Sequence, residues 1–221
     1  MIFLSALLVL ATVLIPSTSG SISDNWAGYV QPDGFYTSAG AEWTVPPLVC
    51  PPSGVTEVAY WVGVDGWGAN ADIFQTGTVS RCENGAQTNW AWWTDEYEGD
   101  VAQPVFAVAT GDVVYARVWQ RASGFWSYRV RDVITGVSNT ADVASAWGRG
   151  VTAEVIAEDP ANMAVNKPFT LADFGTVTFS HVTPVLQGAQ AVAMVPPALH
   201  GVPLAMPSDI EGASFAVTET V

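Results

Sequence analysis

Residues 105–136, VFAVATGDVVYARVWQRASGFWSYRVRDVITG, decide the fold class of this chain. Apolar and polar residues alternate in three short runs, and the breaks fall at the turn-forming triplets TGD (110–112) and ASG (122–124). Alternation with a period of two is typical of a β-strand whose two faces lie in different surroundings. The segment therefore predicts three consecutive strands.

The same alternation recurs along the rest of the chain. Further predicted strands are EVAYWVGVDG (57–66), VTAEVIAEDP (151–160), FGTVTFSHV (174–182) and ASFAVTETV (213–221). No stretch shows a sustained helical period with capping residues. Many short strands separated by Gly, Pro, Asp and Asn predict an all-β protein, either an antiparallel sandwich or a jelly roll.

The first residues differ in character from the rest of the chain. Residues 2–15, IFLSALLVLATVLI, form an uncharged apolar run that is short for a membrane span and typical of a signal-peptide core. We expect residues 1–20 to be a signal peptide and residues 21–221 to form a single domain. The mature protein is then extracellular, with no membrane attachment after the signal is removed.

The charge balance is strongly acidic. The 221 residues carry 21 Asp and Glu against 7 Lys and Arg, a formal net charge of −14. Such a chain repels phosphate backbones and anionic lipids, which makes nucleic acid and membranes poor candidate partners. Self-repulsion fades as the pH falls towards the sequence pI of about 4.1, and this suits an acidic medium.

Cys50 and Cys82 are the only cysteines. An even count in an exported chain favours one disulfide, and two free buried thiols are the alternative. His181 and His200 lie far along the chain without ligand spacing, so the sequence indicates no metal site.

Polar residues inside apolar strands are the remaining candidates for chemistry. Glu154 shares its face of a predicted strand with Ile156, Gln75 lies in DIFQTGTVS, and Asp65 ends WVGVD. Each is either a hydrogen-bonded polar residue of the core or part of a site. Glu158 shares the face of Glu154, and we expect it in solvent at the strand end.

Two other functions fit the same fold class. Glu96 and Glu98 in WWTDEYEGD have the same strand parity and could serve as the paired carboxyls of a jelly-roll glycoside hydrolase. A carbohydrate-binding sandwich without catalysis, which uses some of the ten tryptophans as exposed contacts, is the second alternative.

Six short motifs in fixed order resemble a known family. SDNWAGYV, AEWTVP, YWVGVDG, FQTGT, WAWW and AEVIAEDP occur in the order seen in the glutamic peptidases, also called eqolisins, from about residue 25 to the C-terminus. Cys50 and Cys82, which flank the stretch from YWVGVDG to FQTGT, are similar to those of bacterial-type members. The resemblance implies a jelly-roll-like sandwich of two antiparallel sheets, related in shape to concanavalin-like lectins and glucanases.

The resemblance also implies a site. It assigns Gln75 and Glu154 as the catalytic pair and places Trp61, Asp65 and Trp26 beside them as substrate-binding residues. It implies a monomeric enzyme that acts on polypeptides without a cofactor. The chain departs from the family pattern at two positions, where Thr94 replaces a common Glu and Val155 a common Trp.

The chemistry expected of this pair follows from its residue types. An ionised Glu154 can take a proton from water and pass it to the leaving nitrogen, while the Gln75 amide stabilises the oxyanion. A carboxyl with an ordinary pKa is matched to acidic pH. We therefore expect a secreted, acid-acting endopeptidase in which Glu154 faces a wet cleft opposite Gln75.

Overall fold

The computed structural model describes residues 20–68, 73–96, 101–122, 124–144, 148–162, 167–184 and 186–220. Residues 1–19 of the expected signal peptide lie outside the described residues, and so does Glu98. No described helix combines the length and the hydropathy that a membrane span needs.

The described chain is built almost entirely of strands, with one 3-10 helix at Pro197–Leu199. In chain order the strands are β1 Ser21–Ser23, β2 Trp26–Gln31, β3 Ser38–Thr44, β4 Val55–Asp65, β5 Ile73–Glu83, β6 Ala86–Asp95, β7 Gln103–Ala107, β8 Val113–Ala122, β9 Phe125–Asp132, β10 Ser138–Ala144, β11 Ala153–Glu158, β12 Ala161–Asn162, β13 Lys167–Pro168, β14 Thr170–Leu171, β15 Thr176–Thr183, β16 Gln190–Met194, β17 Ala205–Pro207 and β18 Phe215–Glu219.

The strands form two layers of a sandwich. Sheet I has the order β16-β2-β11-β4-β5-β6-β7, and sheet II has the order β10-β9-β8-β3-β15-β18-β17. The pairings along both orders are antiparallel, and the two sheets join through the pair Met194–Ala205 of β16 and β17. The all-β sandwich predicted from the sequence is confirmed.

The core lies between the two sheets because alternate residues of each strand point inwards. Tyr60 and Val62 of β4 belong to the same buried apolar cluster as Val114 and Val118 of β8. Each fully buried aliphatic or aromatic side chain of this kind contributes about 1.5–3 kcal/mol of hydrophobic stabilisation. The alternating residues on the opposite side of β4 face away from sheet II, and these carry the candidate site.

The three strands predicted within 105–136 are present as β7, β8 and β9. The ASG triplet joins β8 to β9 as a hairpin, whereas β7 pairs with β6 in sheet I. The TGD segment therefore carries the chain from one sheet to the other, which strand periodicity does not reveal.

Gly77 allows sheet I to pack closely at its centre. A Cβ atom on this residue would lie 2.0 Å from the carbonyl oxygen of Tyr60 and 2.7 Å from the Cα of Trp61. Such contacts are with backbone, which cannot give way as a flexible side chain can. Only glycine fits opposite Trp61 in this strand pair.

The disulfide between Cys50 and Cys82 is present, with the two Cα atoms 5.3 Å apart, and this prediction is confirmed. It ties the segment before β4 to the end of β5. Cys82 is fully buried and Cys50 is half-buried.

We predict that the double variant Cys50→Ser/Cys82→Ser loses about 3–4 kcal/mol of unfolding free energy, since the bridge closes a loop with a sequence separation of 32 residues. Urea denaturation measures this loss. A reducing agent should destabilise the wild type by a similar amount and leave the double variant unchanged. Equal stability of wild type and variant would contradict the prediction.

Candidate active site

Five neighbouring strands of sheet I align one residue each in a row across the outer face of the sheet. The strand register pairs Val30 with Glu154, Glu154 with Gly63, Gly63 with Gln75, and Gln75 with Thr94. Directly paired residues of antiparallel strands point to the same face. Glu154 and Gln75 therefore share a face, two strands apart, with Cα atoms about 10 Å from one another.

Gly63 lies between these two residues, at a position where the neighbouring atoms leave no room for a side chain. A Cβ atom there would lie 2.9 Å from Cδ1 of Ile73 and 3.0 Å from the ring of Trp61. The space above Gly63 is therefore filled by apolar atoms that belong to Ile73 and Trp61. We expected a wet cleft between Glu154 and Gln75. This cleft is not open in the structure, because the side chains of Ile73 and Trp61 occupy it.

Glu154 is completely buried. Its side chain has no exposed surface, and neither carboxylate oxygen has a hydrogen bond of good geometry among the described residues, although the Thr152 hydroxyl lies close enough to act on the carboxyl. Burial raises the pKa of Glu154 well above its ordinary value, and the nearby charge of Asp65 adds to the rise, while the Thr152 hydroxyl opposes it. In this closed arrangement the uncharged acid is the favoured form of Glu154.

Gln75 is oriented by a carboxylate. Its Nε2 donates a hydrogen bond to Oε1 of Glu96 at 3.2 Å, while its own Oε1 is buried and has no partner in the part of the chain that the structure describes. An ionised carboxylate can only accept hydrogen bonds, so the NH2 side of the amide must face Glu96. The buried, unpaired Oε1 costs about 1–3 kcal/mol, so the contact with Glu96 stabilises an orientation that is otherwise unfavourable.

A groove with a volume of about 900 Å³ runs over this part of sheet I. Its walls combine indole rings, small apolar side chains and three carboxyl groups, and Gln75 lines it whereas Glu154 does not. The described lining residues are Glu57, Ala59, Gln75, Val79, Trp90, Trp92, Thr94, Glu96, Val101, Ala102, Pro104, Glu158, Pro160 and Ala161.

Glu158 is a groove residue, and the expectation that it lies in open solvent is wrong. It accepts hydrogen bonds from Trp61 Nε1 at 2.7 Å and from Asn25 Nδ2 at 2.9 Å, and it is only partly exposed. Burial raises its pKa to about 7, although the Trp61 hydrogen bond lowers it, and the charge of Glu96 raises it further. The only sequence signal was the strand parity that Glu158 shares with Glu154.

The three residues assigned to substrate binding occupy different surroundings. Trp61 is fully buried, and its indole packs edge-on against Trp26 with ring centroids 4.9 Å apart. Trp26 is half-buried and stacks on Trp67 at 6.1 Å. Trp26 is therefore near the surface beside Glu158, whereas the contacts of Trp61 are internal.

Asp65, the third of these residues, holds the segment that leads into β11. Its buried carboxylate accepts backbone N–H groups of Arg149, Gly150 and Val151 at 2.8, 3.1 and 2.8 Å. Its own N–H donates to the carbonyl of Thr152 at 3.0 Å. Asp65 thus aligns the start of β11 with the end of β4, and contact with a substrate remains a prediction.

The described part of the chain does not support the alternative of a glycoside hydrolase that uses Glu96 and Glu98 as its paired carboxyls. Glu96 lies in the groove beside Gln75. Glu98 lies outside the described residues, so the separation of the two carboxyls is not defined.

The chain is similar to known proteins over most of its length. The model of the Peptidase A4 family matches residues 24–195. Aspergillopepsin-2 of Aspergillus niger is 29% identical in an alignment 189 residues long, which covers 75% of this chain and 65% of that protein. The chain thus spans about 65% of the length of this curated relative.

Solved structures show the same fold. A scytalido-glutamic peptidase bound to a transition state analog inhibitor superposes with a TM-score of 0.75 at 20% identity, over 89% of this chain and 98% of the other. Aspergilloglutamic peptidase from Aspergillus niger has a TM-score of 0.65 at 26% identity, over 75% of this chain and 99% of the other.

Buried carboxyls predict how stability varies with pH. The pKa values of Glu158 and Asp159 are each raised by burial to about 7, so the unfolded chain releases these protons at lower pH than the folded protein does. Stability should therefore fall as the pH rises from about 4.5 to about 7, by on the order of 2 kcal/mol for each group. Urea denaturation at several pH values measures this slope.

Two variants separate the contribution of Glu158 to this pH dependence from the effect of removing any carboxyl. Glu158→Gln, which keeps the side chain neutral, should reduce the slope by about half, since the contribution of Asp159 remains. Glu83→Gln removes a carboxyl whose side chain is 55% exposed, and it should leave the slope unchanged. Identical slopes in wild type and Glu158→Gln would show that Glu158 does not hold its proton in the folded state.

Proposed function

Since the chain belongs to the Peptidase A4 family, we propose that it is an endopeptidase whose catalytic pair is Gln75 and Glu154. The observation that carries this proposal is the register of sheet I, in which the two side chains share one face on either side of Gly63. The groove beside Gln75 supplies a surface on which an extended peptide fits.

The reaction needs an activated water, a donor for the oxyanion and an acid for the leaving nitrogen. Ionised Glu154 takes a proton from the water, and the resulting hydroxide attacks the scissile carbonyl carbon. The Gln75 NH2 group donates to the oxyanion that forms, and it stays neutral at any pH. Protonated Glu154 then returns its proton to the nitrogen as the C–N bond breaks.

Glu154 must become hydrated before it can act as a base. Burial is the largest cause of its raised pKa, so contact with water lowers that pKa and permits ionisation. Ile73 and Trp61 fill the space above Gly63, and they move aside when peptide and water reach Glu154. The closed site limits the ionised fraction of Glu154 until the substrate is bound.

Glu96 assists Gln75 in this scheme. It holds the amide with its NH2 side towards the groove, where the scissile carbonyl lies. The amide has two N–H groups, so one can bind Glu96 while the other donates to the oxyanion. Activity at acidic pH stays a prediction from the acidic composition of the chain.

The substrate class and the location of the enzyme complete the proposal. One neighbouring structure contains a peptide-based transition state analog and another the tripeptide Ala-Ile-His, which supports polypeptides as substrates of this chain. The apolar leader and the Cys50–Cys82 disulfide support secretion into an oxidising environment. The enzyme acts as a monomer without a cofactor.

Gln75→Ala should lower kcat by roughly 10²–10³-fold because the oxyanion loses its donor, and Glu154→Gln should abolish turnover because no base remains. Hydrolysis of denatured casein and of a quenched peptide between pH 2 and 7 measures both. Unchanged thermal melting shows that each variant is folded, and Glu83→Gln serves as the surface control. An active Glu154→Gln variant would remove Glu154 from the mechanism.

Glu96→Ala should lower kcat by about 10-fold with little change in KM, since the donor remains but its orientation is lost. Glu96→Gln should retain most of the activity, because its Oε1 can still accept from the Gln75 amide. Side-chain amide NMR signals of Gln75 should move in Glu96→Ala and stay in place in Glu83→Ala. Full activity of Glu96→Ala would show that Gln75 orients itself.

A further inference from the structure

The basic residues of this acidic chain are concentrated on one face of sheet II. Of the 7 Lys and Arg residues, four lie on the adjacent strands β8 and β9. Arg117 pairs directly with Arg129 in the strand register, and Arg131 and Arg121 follow at even spacing on the same strands. All four side chains are exposed and point away from the core. They form a basic face on a protein whose net charge is −14.

Three of these arginines have no acidic partner among the described residues. Arg121 forms an ion pair with Asp142, but Arg117, Arg129 and Arg131 form none with any described Asp or Glu. Like charges directly opposite each other in a sheet are destabilising. The Arg117–Arg129 pair therefore costs stability unless an anion lies over it.

Aromatic rings share this face with the arginines. Trp119 and Tyr115 alternate with Arg117 on β8, and both are half-buried. The Arg117 guanidinium lies over the Trp119 ring, 5.5 Å from the centroid. The strand neighbours of Trp119 are Ser38 and Ser127, which have small side chains, and the indole is partly exposed beside the Arg117 guanidinium.

The nearest acidic groups on the same face are already engaged. Glu42, which pairs with Tyr115 in the register, lies 3.6 Å from His181. Asp142 accepts from Ser127 as well as from Arg121. The face formed by Tyr115, Arg117, Trp119, Arg129 and Arg131, which we call the arginine face, therefore carries three guanidinium groups that form no ion pair with a described Asp or Glu.

We propose that the arginine face binds an acidic polysaccharide, a polymer of sugar rings that carry carboxylates. Guanidinium groups match carboxylates in geometry and charge, and an indole offers a flat surface to a sugar ring. Denser polyanions such as duplex DNA or anionic membranes bring more repulsion from the rest of this acidic chain. The arginine face lies on sheet II and the groove on sheet I, so a bound polymer leaves the groove free.

Binding of the mature chain to polygalacturonate tests the proposal, measured by titration calorimetry and by affinity electrophoresis at about pH 5, where the polymer carboxylates are ionised. The wild type should bind at low salt and be released at about 0.5 M NaCl, since exposed charge pairs are screened. It should bind fully methyl-esterified polymer, which lacks the charges, far more weakly.

Matched variants locate the site. Arg117→Gln/Arg129→Gln should weaken binding by about 10-fold, and Trp119→Ala should weaken it by several-fold, since each exposed contact contributes modestly. Arg121→Gln, on the same strand but already paired with Asp142, should change binding by less than about 2-fold. Hydrolysis of a soluble peptide should be the same in all of these variants and the wild type. Arg117→Gln/Arg129→Gln should melt no lower than the wild type, because a like-charge pair is removed.

Three results would overturn the proposal. These are no binding of the wild type to polygalacturonate, equal binding by the Arg117→Gln/Arg129→Gln variant, and tighter binding to duplex DNA or to vesicles that contain phosphatidylserine. Because binding and peptide hydrolysis are measured separately, loss of one inference leaves the other intact.

Discussion

The antiparallel pairing of β11 and β5 with the central strand β4 is the constraint on which the candidate site depends. This register brings Glu154 and Gln75, which are far apart in sequence, to either side of Gly63 on one face. Backbone hydrogen bonds set the register, and a slip of one residue would turn Glu154 into the core. The Asp65 carboxylate secures it by binding three N–H groups of the segment before β11.

Burial determines the chemical character of three carboxyls, two on β11 and one on the residue that follows it. Desolvation raises the pKa values of Glu154, Glu158 and Asp159, so each holds its proton at a pH where an exposed carboxyl has lost it. These carboxyls should therefore stabilise the fold more in acid than at neutral pH, because their neutral forms lose less hydration on burial than their ionised forms do. The same conditions reduce the repulsion within a chain of net charge −14.

Much of this arrangement could be predicted from the sequence because strand parity is a local property. The alternation in 151–160 placed Glu154 and Glu158 on the same face of one strand, and the structure agrees. The contact of Gln75 with Glu96 and the anchoring of Glu158 by Asn25 could not be predicted, because they join residues from different strands. Parity gives the face of a side chain but not its neighbours.

The sequence by itself determined the all-β class, the disulfide partners, the acidic charge and, through its motifs, the family. These follow from local periodicity, residue counts and short patterns, which need no knowledge of long-range packing. Only the tertiary structure decided that Ile73 and Trp61 close the space between Glu154 and Gln75, and that Arg117 and Arg129 stand side by side. Strand order and register, which are set by pairing between distant segments, control which side chains meet and which carboxyls lose their water.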